Sequence, residues 1–158
     1  MTDSHTGAAI RRARREDVPE LVALCQEHAE FEGATYDRTA KADRLASALF
    51  SPSARLYAWV AVTKDQSIIG YATASREYST WGACEYLHMD CLFVRAERRG
   101  AGIGADLLMS VVELARELGC AEMQWQTPHW NDDAARFYRR HGAQDRQKLR
   151  FVLKVAGQ

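Results

Sequence analysis

The sequence lacks the features that mark exported, membrane-spanning and nucleic-acid-binding chains. Its 21 basic and 21 acidic residues leave a formal net charge of zero, which disfavours attraction to nucleic acid or to an anionic membrane surface. No apolar run approaches the length of a membrane span, and the polar residues 1–7 contain no apolar core of a signal peptide. The four cysteines form no C-x-x-C pair, so we expect free thiols in a reducing, cytoplasmic setting.

The sequence also has no internal repeat, no low-complexity segment and no Pro/Gly-rich linker among its 158 residues. A chain of this length typically forms one domain with a substantial core. We therefore expect a single domain over residues 1–158, with residues 1–7 as a flexible polar lead.

Hydrophobic periodicity predicts alternating helices and strands along the whole chain. The predicted helices cover residues 16–30, 38–50, 102–118 and 131–141. The predicted strands cover residues 8–14, 55–62, 67–74, 85–94, 121–126 and 148–155. The middle of the chain is antiparallel in character, whereas the strand–helix–strand unit through residues 87–127 requires a parallel neighbour and a right-handed crossover. The predicted fold class is α/β, with a mixed sheet flanked by helices.

A glycine-rich loop is the most informative motif. Residues 98–104 read Arg-Arg-Gly-Ala-Gly-Ile-Gly and lie between a predicted strand and a predicted helix. Alternate glycines let backbone N–H groups approach a ligand, and a helix N-terminus attracts negative charge, so we expect an anion site. No Gly-Lys-Ser/Thr follows, which excludes a P-loop. A dinucleotide fingerprint fits poorly, because residues 95–99 separate the strand from the first glycine.

A second motif supports a family resemblance. Asn131 is followed seven residues later by Tyr138, in a predicted helix that ends before Gly142. This motif, together with the R-x-x-G-x-G pattern beginning at Arg99, resembles the cofactor motifs of the GNAT (GCN5-related) N-acetyltransferases. The resemblance extends over roughly residues 8–155. It implies a mostly antiparallel sheet of about six or seven strands with a splayed parallel central pair, and about four flanking helices.

The resemblance implies acetyl-CoA as cosubstrate and no metal. It places the cofactor's pantetheine arm where the fourth and fifth strands part, and its pyrophosphate on the glycine-rich loop. The residues expected to bind acetyl-CoA are Leu92, Phe93, Val94, Arg99, Gly100, Ala101, Gly102, Ile103, Gly104, Asn131 and Tyr138.

Acetyl transfer to an amine requires loss of a proton from the amine and stabilisation of the departing thiolate. By resemblance, Tyr138 matches the family tyrosine near the cofactor sulfur, and we expect it to act as the acid. Phe137 and Tyr138 are alternatively an aromatic pair that packs the helix on the sheet. Asn131 is also a favoured N-cap residue.

Asp90 is the candidate base. The stretch His-Met-Asp-Cys-Leu-Phe-Val at residues 88–94 resembles the spermidine/spermine branch of the family, in which a glutamate stands at the place of Asp90. Cys91 stands where that branch has a second acid. Strand alternation predicts that Cys91 points away from His88 and Asp90, so these residues are not expected to form a metal site. Asp90 is alternatively a paired strand carboxylate, and His88 and His129 are alternative bases.

The same branch suggests residues that bind the substrate. Glu32, just after the first predicted helix, is expected to meet a substrate cation, or to be a solvated helix end. Trp81 is expected to contribute a cation–π contact.

Residues 151–153, Phe-Val-Leu, lie in the last predicted strand and are expected to form the shared edge of a homodimer.

The sequence therefore predicts an acetyl-CoA-dependent N-acetyltransferase acting on a primary amine of a small molecule, polyamine-like or amino-acid-like. The alternatives are a protein or peptide N-acetyltransferase and a non-catalytic acyl-CoA-binding regulatory module. Neither nucleic acid nor a membrane is an expected partner.

Overall fold

A computed structural model describes residues 7–157 of the chain. Residues 1–6 of the predicted polar lead lie outside the described residues. Contacts group the chain into two units, Met1–Gln126 and Thr127–Gln158. The single domain over the whole chain stays a prediction.

The structure confirms the predicted order of elements up to the last helix. The strands are β1 (Ala8–Arg12), β2 (Tyr57–Thr63), β3 (Ile68–Ser79), β4 (Cys84–Val94) and β5 (Met123–Gln124). The helices are α1 (Val18–Phe31), α2 (Lys41–Phe50), α3 (Ile103–Glu117) and α4 (Asp132–Arg140). Single 3₁₀ turns, Arg15–Asp17 and Ala96–Arg98, precede α1 and the glycine-rich loop. Within residues 7–157, every helix is too short or too polar to span a bilayer.

The five described strands form one mixed sheet in the order β1-β2-β3-β4-β5. The pairs from β1 to β4 are antiparallel, while β4 and β5 are parallel and joined through α3. This topology confirms the predicted fold class.

The predicted strand over residues 148–155 is wrong. The structure has no strand there, and the apolar side chains of the segment are 77–90% exposed at Leu149, Phe151, Val152, Leu153 and Val155. Alternating apolar residues indicate that a segment suits a pleated, half-buried surface, but a strand forms only where another strand pairs with it. β5 is likewise shorter than predicted, because only two of its residues pair with β4.

Helices α1 and α3 pack on opposite faces of the sheet. Tyr71 of β3 is buried in a cluster with Leu21 and Leu24 of α1. A Cβ built on the preceding residue, Gly70, would lie 3.4 Å from Leu107 of α3. Successive strand residues point to opposite faces, so these contacts assign one face to each helix. The α1 face carries the polar groups from which the candidate site is built.

Candidate active site

A β-bulge in β4 presents Asp90. In the register between β3 and β4, Ala74 pairs with Met89 and Thr73 pairs with Cys91, which leaves Asp90 as the extra residue. Such a bulge reverses the side-chain alternation that follows it and is common beside active sites. Cys91 Sγ accordingly lies 3.7 Å from Asp90 Oδ2, on the same side of the strand. The prediction that Cys91 points away from Asp90 is therefore wrong, because alternation alone cannot reveal a bulge.

Asp90 is an accessible carboxylate with one basic neighbour. Its side chain is 65% exposed, and its Oδ1 lies 3.7 Å from His88 Nε2. This arrangement suits contact with an incoming amine. Because the two side chains are close, His88 remains the alternative base. An ion pair with His88 remains the alternative role for Asp90. Within residues 7–157, no group of three His, Cys, Asp or Glu side chains is arranged to hold a metal ion.

The contacts of His28 with Tyr71 and Glu32 on the α1 face were not predicted from the sequence. His28 Nδ1 lies 2.9 Å from the Tyr71 hydroxyl, and His28 Nε2 lies 3.3 Å from Glu32 Oε1. The imidazole stacks on Phe93 with ring centroids 5.0 Å apart. The spacing of four residues between His28 and Glu32 was the available signal, since such pairs share one helix face. The contact with Tyr71 depends on how α1 crosses the sheet, which the sequence does not show.

Burial favours the neutral forms of the His28 imidazole, the Tyr71 phenol and the Cys91 thiol. Desolvation lowers the pKa of His28 below its ordinary value, although Glu32 and Asp90 act to raise it. Burial raises the pKa of the Tyr71 phenol far above its ordinary value. It also raises the pKa of the Cys91 thiol to about 12. A neutral imidazole, phenol and thiol therefore lie beside carboxylates that are free to meet a cation.

The glycine-rich loop has the geometry of an anion site. Gly100 and Gly102 have φ angles of +83° and +86°, in the left-handed region that favours glycine, and α3 begins at Ile103. A Cβ on Gly100 would meet no atom within 4 Å, so open space lies beside the loop. The first N–H groups of a helix have no partner within the helix, so the start of α3 provides donors for a phosphate.

The side chain of Arg99 turns toward the α1 face. Its Nε donates to the Val94 carbonyl at 2.8 Å, and its guanidinium lies over the rings of Phe31 and Phe93 at 4.7 and 5.4 Å. Arg99 thus fixes the chain between β4 and the loop. Its predicted contact with the cofactor stays a prediction.

The parting of β4 and β5 exposes a backbone edge. β5 pairs only with Leu87 and His88, whereas β4 continues to Val94. In the described sheet, residues 89–94 therefore have a strand neighbour on the β3 side alone. The side chains of Phe93, Val94 and Ile103 are buried, so the predicted contacts of these residues with a cofactor stay predictions. An extended amide-containing ligand can hydrogen-bond to such an edge as an added strand does.

The predicted substrate residues fall into two places. Glu32 lies beside His28, whose charge Asp90 also influences, so Glu32 and Asp90 belong to one neighbourhood. Trp81 lies at the tip of the β3–β4 hairpin and is fully exposed. The six steps along the strand from Cys84 to Asp90 span roughly 20 Å, so one small amine at Asp90 would not also reach Trp81.

The unit of residues 127–158 carries the other two predicted residues. Asn131 caps α4, because its Oδ1 accepts a hydrogen bond from the Ala134 N–H at 3.2 Å. Tyr138 is half-buried, and its ring meets Phe137 edge-on at 5.3 Å. The cap is confirmed. The roles of Asn131 and Tyr138 toward a cofactor stay predictions.

Comparison with known proteins identifies the family. The model of the acetyltransferase (GNAT) family matches residues 9–143. The chain belongs to the GNAT acetyltransferase family. It is therefore an acyltransferase, as the resemblance in the sequence predicted.

Two GNAT relatives match this chain over most of their own lengths. Thialysine N-epsilon-acetyltransferase of Mus musculus is 27% identical over 143 residues, covering 86% of this chain and 84% of the mouse protein. Peptidyl-lysine N-acetyltransferase YjaB of Escherichia coli (strain K12) is 33% identical over 139 residues, covering 85% and 80%. The crystal structure of an aminoglycoside acetyltransferase from an uncultured soil metagenomic sample has a TM-score of 0.80 at 20% identity, covering 95% and 97% of the two chains. This last likeness shows the GNAT fold alone.

Proposed function

We propose that this GNAT enzyme transfers the acetyl group of acetyl-CoA to a primary amine of a small molecule, polyamine-like or amino-acid-like, by direct attack of the amine on the thioester. The observation that carries the proposal is the bulge in β4. It presents the exposed Asp90 carboxylate beside a β4 backbone edge that can hold an extended ligand.

Asp90 has a defined task in this reaction. An alkylammonium loses its proton at a pKa near 10, so supplying the free amine at pH 7 costs about 4–5 kcal/mol. Asp90 accepts that proton, directly or through a water, since its carboxylate is accessible and has His88 as its neighbour. Glu32 adds a second carboxylate for a distal ammonium.

Acetyl-CoA is the proposed cosubstrate because the described residues fit its parts. The start of α3 supplies N–H donors for the pyrophosphate, and the β4 edge supplies groups for the pantetheine amides. The thioester supplies the acetyl group. Tyr138 is proposed to protonate the departing thiolate.

We expect Gly102→Val to weaken CoA binding by 10-fold or more, roughly 1.4 kcal/mol, as measured by calorimetry. A side chain at this position would lie where the loop backbone approaches the pyrophosphate. Valine at a positive φ also costs about 1–2 kcal/mol of folding free energy. Gly119→Val is the matched control, because Gly119 has a φ of +71° and ends α3 outside the loop. Equal CoA affinity in the two folded variants would remove the loop from the cofactor site.

Two classes of acceptor remain, and the relatives represent both. The mouse relative is named for thialysine and the Escherichia coli relative for peptidyl lysine. The two carboxylates that act on His28, those of Glu32 and Asp90, favour a small cation. A thiol-release assay with acetyl-CoA, run against short amines, amino acids, aminoglycosides and lysine peptides, separates the two classes. A lysine peptide turned over far better than every small amine would replace the proposed acceptor.

We further propose that the chain forms a homodimer through residues 151–153. The apolar side chains there are 77–88% exposed, which favours a partner surface. Light scattering at micromolar concentration is expected to give twice the 17.8 kDa mass of one chain, and Phe151→Glu is expected to shift it toward one chain. A single-chain mass for the unmodified protein would contradict the dimer.

A further inference from the structure

Both ring nitrogens of His28 face polar atoms: Nδ1 faces the Tyr71 hydroxyl, and Nε2 faces the Glu32 carboxylate. An ionised carboxylate can only accept, so the Nε2 atom that faces Glu32 carries the hydrogen. In the neutral ring, Nδ1 then has the lone pair and accepts from the Tyr71 hydroxyl 2.9 Å away. In this tautomer Tyr71 donates a hydrogen bond to His28, and the N–H of His28 faces the Glu32 carboxylate 3.3 Å away.

We propose that His28 is a positioning residue of the amine site, which holds the Glu32 carboxylate for the distal ammonium of a diamine and weakens that contact when it is protonated. This inference rests on the proposed acetyl transfer to a small amine. It extends that function by naming a residue that selects dications and makes their binding depend on pH.

The fold keeps the imidazole in place from two sides. His28 lies on α1 and Glu32 directly follows the last residue of that helix, so the two side chains, four residues apart, lie on one side of it. The sheet supplies Tyr71 from β3 and the stacked ring of Phe93 from β4. The His28 side chain is only 17% exposed, whereas that of Glu32 is 37% exposed. The carboxylate can thus reach a ligand while the imidazole behind it stays fixed.

The charges around His28 define what its protonation does. Among residues 7–157, three charged side chains act electrostatically on His28: Glu32 just after α1, Asp90 on β4 and Arg99 after β4. The Tyr71 hydroxyl also contacts His28, and the thiols of Cys25 and Cys91 pack against the buried cluster that contains Tyr71. With neutral His28, the two carboxylates and Arg99 leave one net negative charge. Protonation of His28 adds one positive charge and cancels that net negative charge. The new Nδ1–H then faces the hydrogen of the Tyr71 hydroxyl, so Tyr71 no longer has an acceptor at Nδ1.

The direction of the pH effect follows from burial. Desolvation lowers the pKa of His28 from its ordinary value of 6.5. The ring is therefore neutral at pH 7 and gains its second proton only below pH 6.5. An α,ω-diamine with four or more methylenes between its nitrogens stays doubly charged throughout pH 5–8, because its ammonium groups are far enough apart for both to titrate near pH 10. Any change in its affinity within that range comes from the protein. We expect the affinity to fall about fivefold or more as the pH is lowered through the pKa of His28.

The state of His28 can be measured without ligand by ¹⁵N NMR of the histidine rings. We expect a neutral ring at pH 7 with hydrogen on Nε2, and a pKa below 6.5. Glu32→Gln removes a carboxylate that favours the charged ring, so it is expected to lower this pKa further. Hydrogen on Nδ1, or a pKa that Glu32→Gln does not change, would overturn the proposal.

Diamine affinity is measured by calorimetry on the CoA-bound protein from pH 5 to 8, with a monoamine of equal length as the matched ligand. His28→Gln keeps a donor for Glu32 and cannot be protonated, so it is expected to bind the diamine as the parent does at pH 8 and to lose the fall at low pH. His28→Leu removes the donor and is expected to weaken diamine binding at every pH, with little effect on the monoamine. His141→Gln is the control, since it changes an exposed histidine that bonds to the Phe137 carbonyl.

The outcomes separate this inference from the proposed function. A fall at low pH that persists in His28→Gln, or a diamine that binds no better than the monoamine, would overturn the role of His28. Acetyl transfer to a small amine, measured on the same protein, would then still support the proposed function. Parent-like diamine binding in His28→Gln together with weak binding in His28→Leu would show that His28 positions the Glu32 carboxylate. A merely structural role would not distinguish the two variants when both are folded.

Discussion

Replacing Tyr138 with phenylalanine is expected to lower kcat about 10²-fold, the effect of losing a positioned general acid. The substitution keeps the ring that meets Phe137 edge-on at 5.3 Å and removes only the hydroxyl. Without that hydroxyl the thiolate must leave unprotonated or take its proton from water. Little change in the KM for acetyl-CoA is expected, because the hydroxyl acts on the transition state.

The matched control is Tyr78→Phe, which removes the hydroxyl of a tyrosine that is 65% exposed on β3. Steady-state rates of thiol release are measured for both variants with the same amine. Unchanged turnover in Tyr138→Phe would show that Phe137 and Tyr138 serve as a packing pair. The acid would then have to be sought elsewhere.

Asp90→Asn is expected to lower kcat/KM for an amine about 10²-fold near pH 7, since the substitution keeps the side-chain shape and removes the proton acceptor. The loss is expected to shrink as the pH rises. Alkylamines titrate near pH 10, so alkaline solvent itself supplies the neutral amine that the base otherwise generates. The measurement is a pH–rate profile of kcat/KM for parent and variant.

Asp43→Asn serves as the control, because Asp43 is an exposed carboxylate in the first turn of α2. It is expected to reproduce the parent profile. A profile of Asp90→Asn that also overlays the parent would remove Asp90 from the mechanism. The base would then be sought at His88, 3.7 Å from Asp90, or in a water chain.

Local signals in the sequence were enough to predict most of the fold. The apolar positions of α1 and α3 recur at helical spacing, and the observed ends lie within a few residues of the predicted ones. The glycine-rich loop was recognised because glycines let backbone N–H groups approach a ligand, and Gly100 and Gly102 also adopt a left-handed φ that suits few other residues. The strand predicted near Phe151 failed because pairing is not local: its β-forming side chains have no strand beside them.

The sequence predicted residues of the candidate site only where a motif marks the position of the residue. Contacts between residues far apart in the chain were not predicted. Asp90 and Glu32 were identified from motif positions; Glu32 lies 3.3 Å from His28, and both carboxylates act electrostatically on that imidazole. The orientation of Cys91 was missed because a bulge inserts one residue without a sequence signal. The contact between His28 and Tyr71 was missed because it joins α1 to β3 across 43 residues of sequence.

Acetyl transfer to a small amine is tested most directly by a coupled measurement on the unmodified protein. Acetyl-CoA is incubated with a panel of small amines, and released CoA thiol and acetylated amine are quantified together by absorbance and mass spectrometry. We expect equimolar thiol and N-acetyl product with at least one diamine or amino acid, and no thiol release without an amine. Tight CoA binding with no thiol release for any amine or lysine peptide would contradict catalysis and indicate a protein that only binds the cosubstrate.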